Sequence, residues 1–110
     1  MLFHVVPVDE WTADLERPYA PVSLTTEGFV HCSPDRPAAL AIANGPYRDV
    51  PDLLVLQIDE AALAAEIRWE GSEDLLFPHV YGPIERAAVT AVLAVVRDAD
   101  GHAQELAPWA

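Results

Sequence analysis

The sequence predicts a single α+β domain: a mixed or antiparallel sheet carrying a few short helices. Three observations lead there. A length of 110 residues suits one hydrophobic core and leaves too little material for two. Apolar runs of strand length, LFHVV and LLVLQI among them, are mixed irregularly with short helical patterns, which argues against a doubly wound parallel sheet. The ten prolines fall mostly between those runs, where turns belong.

Taken in order, LFHVVP (2–7) reads as a buried first strand ended by Pro7. Asp9 is placed to cap a short helix carrying Trp11 and Leu15. RPYAPVSLTTE (17–27) reads as an extended, proline-broken connection. GFVHCS (28–33) reads as a strand. PDRPAALAIANG (34–45) reads as a helix closed by Asn44–Gly45, with Ser33 as N-cap and Pro34 at the first helical position. LLVLQID (53–59) is a clear strand, and EAALAAE (60–66) a short helix. IRWEG (67–71) and FPHVYG (77–82) are short strands. Residues 84–98 divide into a helical turn and a strand, AVLAVVRD. The tail, 101–110, has no decisive pattern. The sum is about six strands and two or three short helices.

Composition narrows the function. Hydrophobic residues make up 52% of the chain, yet no apolar run approaches the ~20 residues that span a bilayer. The N-terminus has no basic n-region before its apolar stretch, and Cys32 is the sole cysteine, so no internal disulfide forms. A cytoplasmic protein without membrane contact is the expectation. The net charge is -12, and all six cationic side chains are arginines. Without lysine there is no Schiff-base chemistry and no P-loop. Such acidity also opposes extensive nucleic-acid binding, which needs many phosphates neutralised. A small anion held by an arginine and backbone amides stays compatible with it. The expected oligomeric state is a monomer or small homo-oligomer.

Three histidines lie within strands. Alternation puts Phe29, His31 and Ser33 on one face, Leu2, His4 and Val6 on another, and Phe77, His79 and Tyr81 on a third. Any one of them serves equally well as a structural imidazole bonded to backbone. Three in one small chain would bring three desolvation costs if unused, which favours a shared cleft. A helix starting after Ser33 would aim its free N–H groups at the end of the His31 strand, a seat for phosphate or carboxylate. Arg36 would add a charge-assisted contact. Cys32 faces away from His31, which argues against a cysteine–histidine nucleophile. His102, in the tail, looks incidental. Glu70, the lone carboxylate of IRWEG, makes no acid–base pair by itself.

The segments FHVV, EW, YAPVSLTTEGFVHCS, PDLLVLQID, IRWE and FPHVYGPI together resemble the small bacterial domain-of-unknown-function family 952, over roughly residues 2–96. That family is similar in fold to the ADP-ribosyltransferase superfamily, a split sheet around a nicotinamide-dinucleotide cleft. VHCS followed by a helix also looks like the histidine–hydrophobic–serine motif of the RNA 2′-phosphotransferases. The resemblance implies that His4 contacts a ribose, that His31 and Ser33 form the second motif, and that His79 with Tyr81 stands near the third. The third motif of the transferases generally carries a glutamate; here Glu27 or Glu70 would have to take its place.

The expected function is therefore a ligand-binding domain for a dinucleotide such as NAD, for ADP-ribose, or for a related phosphate- or ribose-bearing molecule, acting as a transferase or hydrolase. His31 and His79 are the candidate catalytic acid–base groups. His4, Ser33, Arg36, Tyr81 and Glu27 are the candidate ligand contacts. Two rival readings stand beside it: a three-histidine zinc site, and a non-catalytic binding module meeting a basic partner.

Overall fold

The computed structural model describes residues 1–109; the tail's last residue, Ala110, lies outside them. The chain folds as α+β with two antiparallel sheets. The first strand, β1 (Leu2–Pro7), leads into a one-turn helix, α1 (Val8–Thr12), and a second, α2 (Val22–Thr26). A two-residue strand, β2 (Val30–His31), precedes α3 (Arg36–Asn44) and β3 (Leu53–Ile58). A 3-10 turn at Glu60–Ala62 connects to the hairpin β4 (Glu66–Ser72) and β5 (Leu75–Tyr81). A second 3-10 turn, Arg86–Ala88, opens onto β6 (Val89–Arg97) and β7 (Ala103–Pro108). The larger sheet has the order β1-β3-β6-β7, and the smaller one β2-β5-β4.

The larger sheet is covered on both faces, which is why β1 and β3 are apolar almost without alternation. Leu2, Val6, Leu54, Leu56 and Ile58 pack with Val30 and Val80 of the smaller sheet and with Trp11 of α1. Phe3, Val5, Leu53 and Val55 pack on the other side against Ala39 and Ala43 of α3. Two arginines act as staples. Arg86 donates to the carbonyls of Trp11, Asp14 and Arg17 and lies over the Trp11 ring at 4.0 Å. Arg97 donates to the carbonyls of Tyr47, Val50 and Gly101. Charge-assisted bonds of this kind satisfy carbonyls in loops and in the last turn of α1 that no strand reaches.

Several local expectations are corrected. Asp9 does not cap α1; the N-cap is Pro7, without a side-chain bond. The 17–27 connection is not extended throughout, because α2 forms within it. Ser23 Oγ donates to the Phe29 carbonyl and Thr26 Oγ1 to that of Val22, so hydroxyl contacts override the β-branched preference for extended backbone. Helix α3 begins later than Ser33–Pro34: Asp35 is its N-cap and accepts from the Ala38 amide at 2.8 Å. The late start leaves Pro37 in the first turn, where its missing N–H costs nothing. The helix expected over 60–66 shrinks to one 3-10 turn, capped by Asp59. The tail forms β7 and closes the larger sheet against β6.

Candidate functional site

Strand β2 ends after two residues because Ser33 leaves the smaller sheet. Its backbone exchanges two hydrogen bonds with Phe3 of β1, so residues 30–33 stitch one sheet to the other. His4 reinforces that seam. Its Nδ1 lies 2.5 Å from the His31 carbonyl oxygen. A carbonyl only accepts, so Nδ1 carries the proton and Nε2 is left as an acceptor. Burial lowers the His4 pKa to about 4, keeping the ring neutral at pH 7.

The smaller sheet is buried on one face only. Register pairs His31 with His79 and Arg68 with His79, Glu70 with Phe77 and Glu66 with Tyr81. Alternation then puts His31, Glu70, His79 and Tyr81 together on the open face, while Val30 and Val80 point to the core. Phe29 sits among them, stacked on His79 at 4.1 Å and 5.3 Å from the Tyr81 ring. The His31 and His79 rings are 5.3 Å apart, edge to face.

Each of these two histidines is held by a carboxylate. His79 Nδ1 donates to Glu70 Oε1 at 2.9 Å, and Tyr81 donates its hydroxyl proton to the same oxygen at 2.5 Å. The Tyr81 bond first, and the His79 bond second, hold the Glu70 carboxyl below its usual range; the same contact raises the Tyr81 phenol. His31 Nε2 donates to Glu27 Oε2 at 2.8 Å. These bonds fix the tautomers: His79 presents Nε2 and His31 presents Nδ1 for other partners.

Beside the dyads lies a cavity of about 230 Å³, bordered by His4, His31, His79, Ser33, Tyr47 and Phe77. A second lobe of about 370 Å³ shares His4, His31, Ile42 and Tyr47 with it and extends to Glu10, Tyr19 and Glu27. The two lobes form one cleft between the β2–β5 edge, strand β1 and the end of α3. Ser33 is 4% exposed, and its hydroxyl has no hydrogen-bond partner among the described residues.

The structure thus gathers His4, His31, His79, Ser33 and Glu27 around one cleft, with Tyr81 one bond away through Glu70. Arg36 is not among them. It opens α3 and donates to Gln57 Oε1 at 3.3 Å, outside both lobes. The helix end beside it already carries a negative charge, since the Asp35 carboxylate accepts from the Ala38 amide, which disfavours the anion seat expected there. Among the described residues no group of His, Cys, Asp and Glu side chains is arranged to hold a metal ion, so the three-histidine zinc centre is not formed. One nitrogen of each ring is already bonded, to a carbonyl or a carboxylate. Cys32 borders the smaller lobe, but burial pushes its thiol up to about 12, which removes it as a nucleophile at neutral pH.

Glu10 and Tyr47 of the cleft escaped the sequence reading, while Glu70 and Phe29 were named in it but not as partners of His79. Glu70 carried a signal, since alternation in IRWEG puts it on the face of Arg68. Its pairing with His79 depends on the β4–β5 register, set by a two-residue turn at Glu73–Asp74. That turn lacks the Asn-Gly or Asp-Gly pair that marks such hairpins.

A family model described as "Protein of unknown function (DUF952)" matches residues 5–92, and the chain belongs to that family. No curated protein matches it. Among solved structures it is similar to protein CC0527 from Caulobacter crescentus. The crystal structure of that protein is 28% identical with a TM-score of 0.79, covering 94% of this chain and 92% of the other. The solution NMR structure of the same protein is 28% identical with a TM-score of 0.73, covering 94% and 90%. No helix among the described residues is long and apolar enough to cross a membrane.

Proposed function

We propose that this member of the family is an ADP-ribosyltransferase-like domain whose cleft takes a small ribose- or other hydroxyl-bearing ligand, with ADP-ribose and NAD as the first candidates. His31 and His79 act on it as a general acid–base pair, in a transferase or hydrolase reaction. One observation carries the reading: three imidazoles and a serine hydroxyl from separate strands border one cavity, and two of the imidazoles are oriented by carboxylates. His4 Nε2 and Ser33 Oγ are free acceptors for ligand hydroxyls. Glu70 keeps His79 Nε2 unprotonated in the neutral ring, ready to take a proton. When His79 becomes cationic, the carboxylate beside it stabilises the charge, as in any histidine–carboxylate pair. Phe29 keeps one face of that ring dry.

Glu70, rather than a residue of FPHVYG itself, then supplies the negative charge near the third-motif position, and it does so through His79. Isothermal calorimetry with ADP-ribose, NAD and adenosine tests the proposal. Saturable heat that His79→Ala and Ser33→Ala abolish is expected. Absence of heat with all three at millimolar concentration overturns the ribose reading. Among these ligands the cleft favours the ribose over the phosphates, because no arginine among the described residues borders either lobe. Phosphate groups would lie outside.

A further inference from the structure

The larger lobe has a chemistry of its own. Its polar border is rich in acceptors: the Glu10 and Glu27 carboxylates and the unbonded Nε2 of His4, beside His31 and the Ser23, Tyr19 and Tyr47 hydroxyls, which donate as well as accept. His4 is 7% exposed and Tyr19 5% exposed, and neither the His4 Nε2 nor the Tyr19 hydroxyl has a partner among the described residues. Neither atom is sealed inside the protein, since the only fully occluded unpartnered side-chain atom among the described residues is Glu85 Oε2. Largely buried polar atoms of this kind ordinarily have a partner; the His4 Nε2 takes a donor, and the Tyr19 hydroxyl can accept one beside it.

Charge says which kind. The Glu10 carboxylate acts on both tyrosines, adding to the burial that raises the phenols of Tyr19 and Tyr47. Among the described residues Glu10 forms no ion pair. Arg17 and Arg86 line a neighbouring cavity with Glu10 and Tyr19, and Arg86 also acts on Tyr19; but the Arg86 guanidinium is held by three backbone carbonyls, Arg17 pairs with Asp14 at 3.3 Å, and neither borders the lobe. Aromatic faces beside an unpaired carboxylate suit a cation, through both Coulomb attraction and the ring quadrupole.

We propose that the larger lobe is a subsite for a positively charged nitrogen, so that the cleft's ligand is an organic cation: an ammonium- or guanidinium-bearing small molecule whose ring or hydroxyl end reaches the His31–His79 lobe. Glu10 is the counter-ion, Tyr19 and Tyr47 flank the charge, and His4 Nε2 accepts one of its N–H groups. The subsite rests on the cleft being a ligand site, and it is independent of what chemistry the two dyads perform.

Three molecules of one shape separate the possibilities: tyramine, its neutral alcohol tyrosol, and its anionic counterpart 4-hydroxyphenylacetate. Each is titrated into the full-length protein at physiological salt, following the ring resonances of His4, Tyr19 and Tyr47 by NMR, with ADP-ribose run alongside. Tyramine is expected to shift those resonances and to bind at least about tenfold more tightly than tyrosol. Glu10→Gln, at an exposed helix position, should erase that preference without changing the fold, and Tyr47→Phe should weaken tyramine less. Tyrosol or 4-hydroxyphenylacetate binding as well as tyramine overturns the subsite. So does a tyramine preference that survives Glu10→Gln, which would mark diffuse attraction to an acidic surface, and so does silence from all three. ADP-ribose binding in the face of any of these failures leaves the acid–base reading of His31 and His79 intact.

Discussion

The two sheets of this molecule are built from similar strands and do opposite work. In the larger sheet, β1 and β3 are buried on both faces, and nearly every side chain is hydrocarbon. In the smaller sheet, β2, β4 and β5 bury one face and leave the other to Glu70, His79, Tyr81 and His31. A strand packed on both sides leaves little free face for a titratable group, His4 at the seam being the exception, whereas a half-covered strand presents polar side chains at fixed spacing with the backbone already held rigid. The seam between them, at Phe3–Ser33 and His4–His31, is where the cleft opens. Stability belongs to one sheet and chemistry to the other.

That division can be broken in order of effect. Leu56→Ala, in the middle of β3 and fully buried, should cost about 3 kcal/mol or more through lost burial and a cavity, measured by urea unfolding, while the folded fraction binds ligand as before. Acid should act through the seam. His4 takes a proton with a pKa of about 4 in the folded chain against 6.5 in an ordinary environment. The unfolded state therefore binds more protons between those values. Stability is complete above about pH 6.5 and falls as pH drops towards 4, by up to roughly 3 kcal/mol. His4→Phe should flatten the upper part of that slope, where carboxylates do not yet titrate; a slope unchanged between pH 6.5 and 5 would separate it from His4.

Smaller effects sharpen the contrast. Asp35→Ala removes the N-cap of α3, outside the cleft, and should cost about 1 kcal/mol with unchanged ligand affinity. Glu70→Gln should leave the unfolding midpoint close to that of the parent, as surface substitutions do, since its carboxylate is 40% exposed. Yet it should redistribute the His79 ring between its two tautomers, read from ¹⁵N shifts of the imidazole. A large stability loss with an unmoved tautomer would make Glu70 a structural residue and erase the distinction between the sheets.

The larger sheet was legible because burial on both faces writes a local signature: LFHVV and LLVLQI admit few other readings. Strand β7 was not, because AQELAP becomes a strand only through pairing with β6, a contact that local composition does not record. Helix α2 was hidden by VSLTT, whose residues favour extended backbone until Ser23 and Thr26 bond to nearby carbonyls. At the cleft, alternation was enough to place His31 and His79 on polar faces. It could not give the register that set His79 against Glu70. The anion seat failed for a related reason: Ser33–Pro34 and Asp35–Arg36–Pro37 are overlapping start signals, and the aspartate, by capping α3, brought its own negative charge to the spot.

Arginines 86 and 97 direct their charge inward, onto carbonyls of loops. The chain has no lysine to replace them outside, so its periphery is more one-sided than a net charge of -12 suggests. Copies of the protein should repel one another on approach, over a range that ordinary salt shortens to about 8 Å. Cationic groups would be drawn towards the cleft, and any ligand carrying phosphates would bind more tightly as salt screens that field.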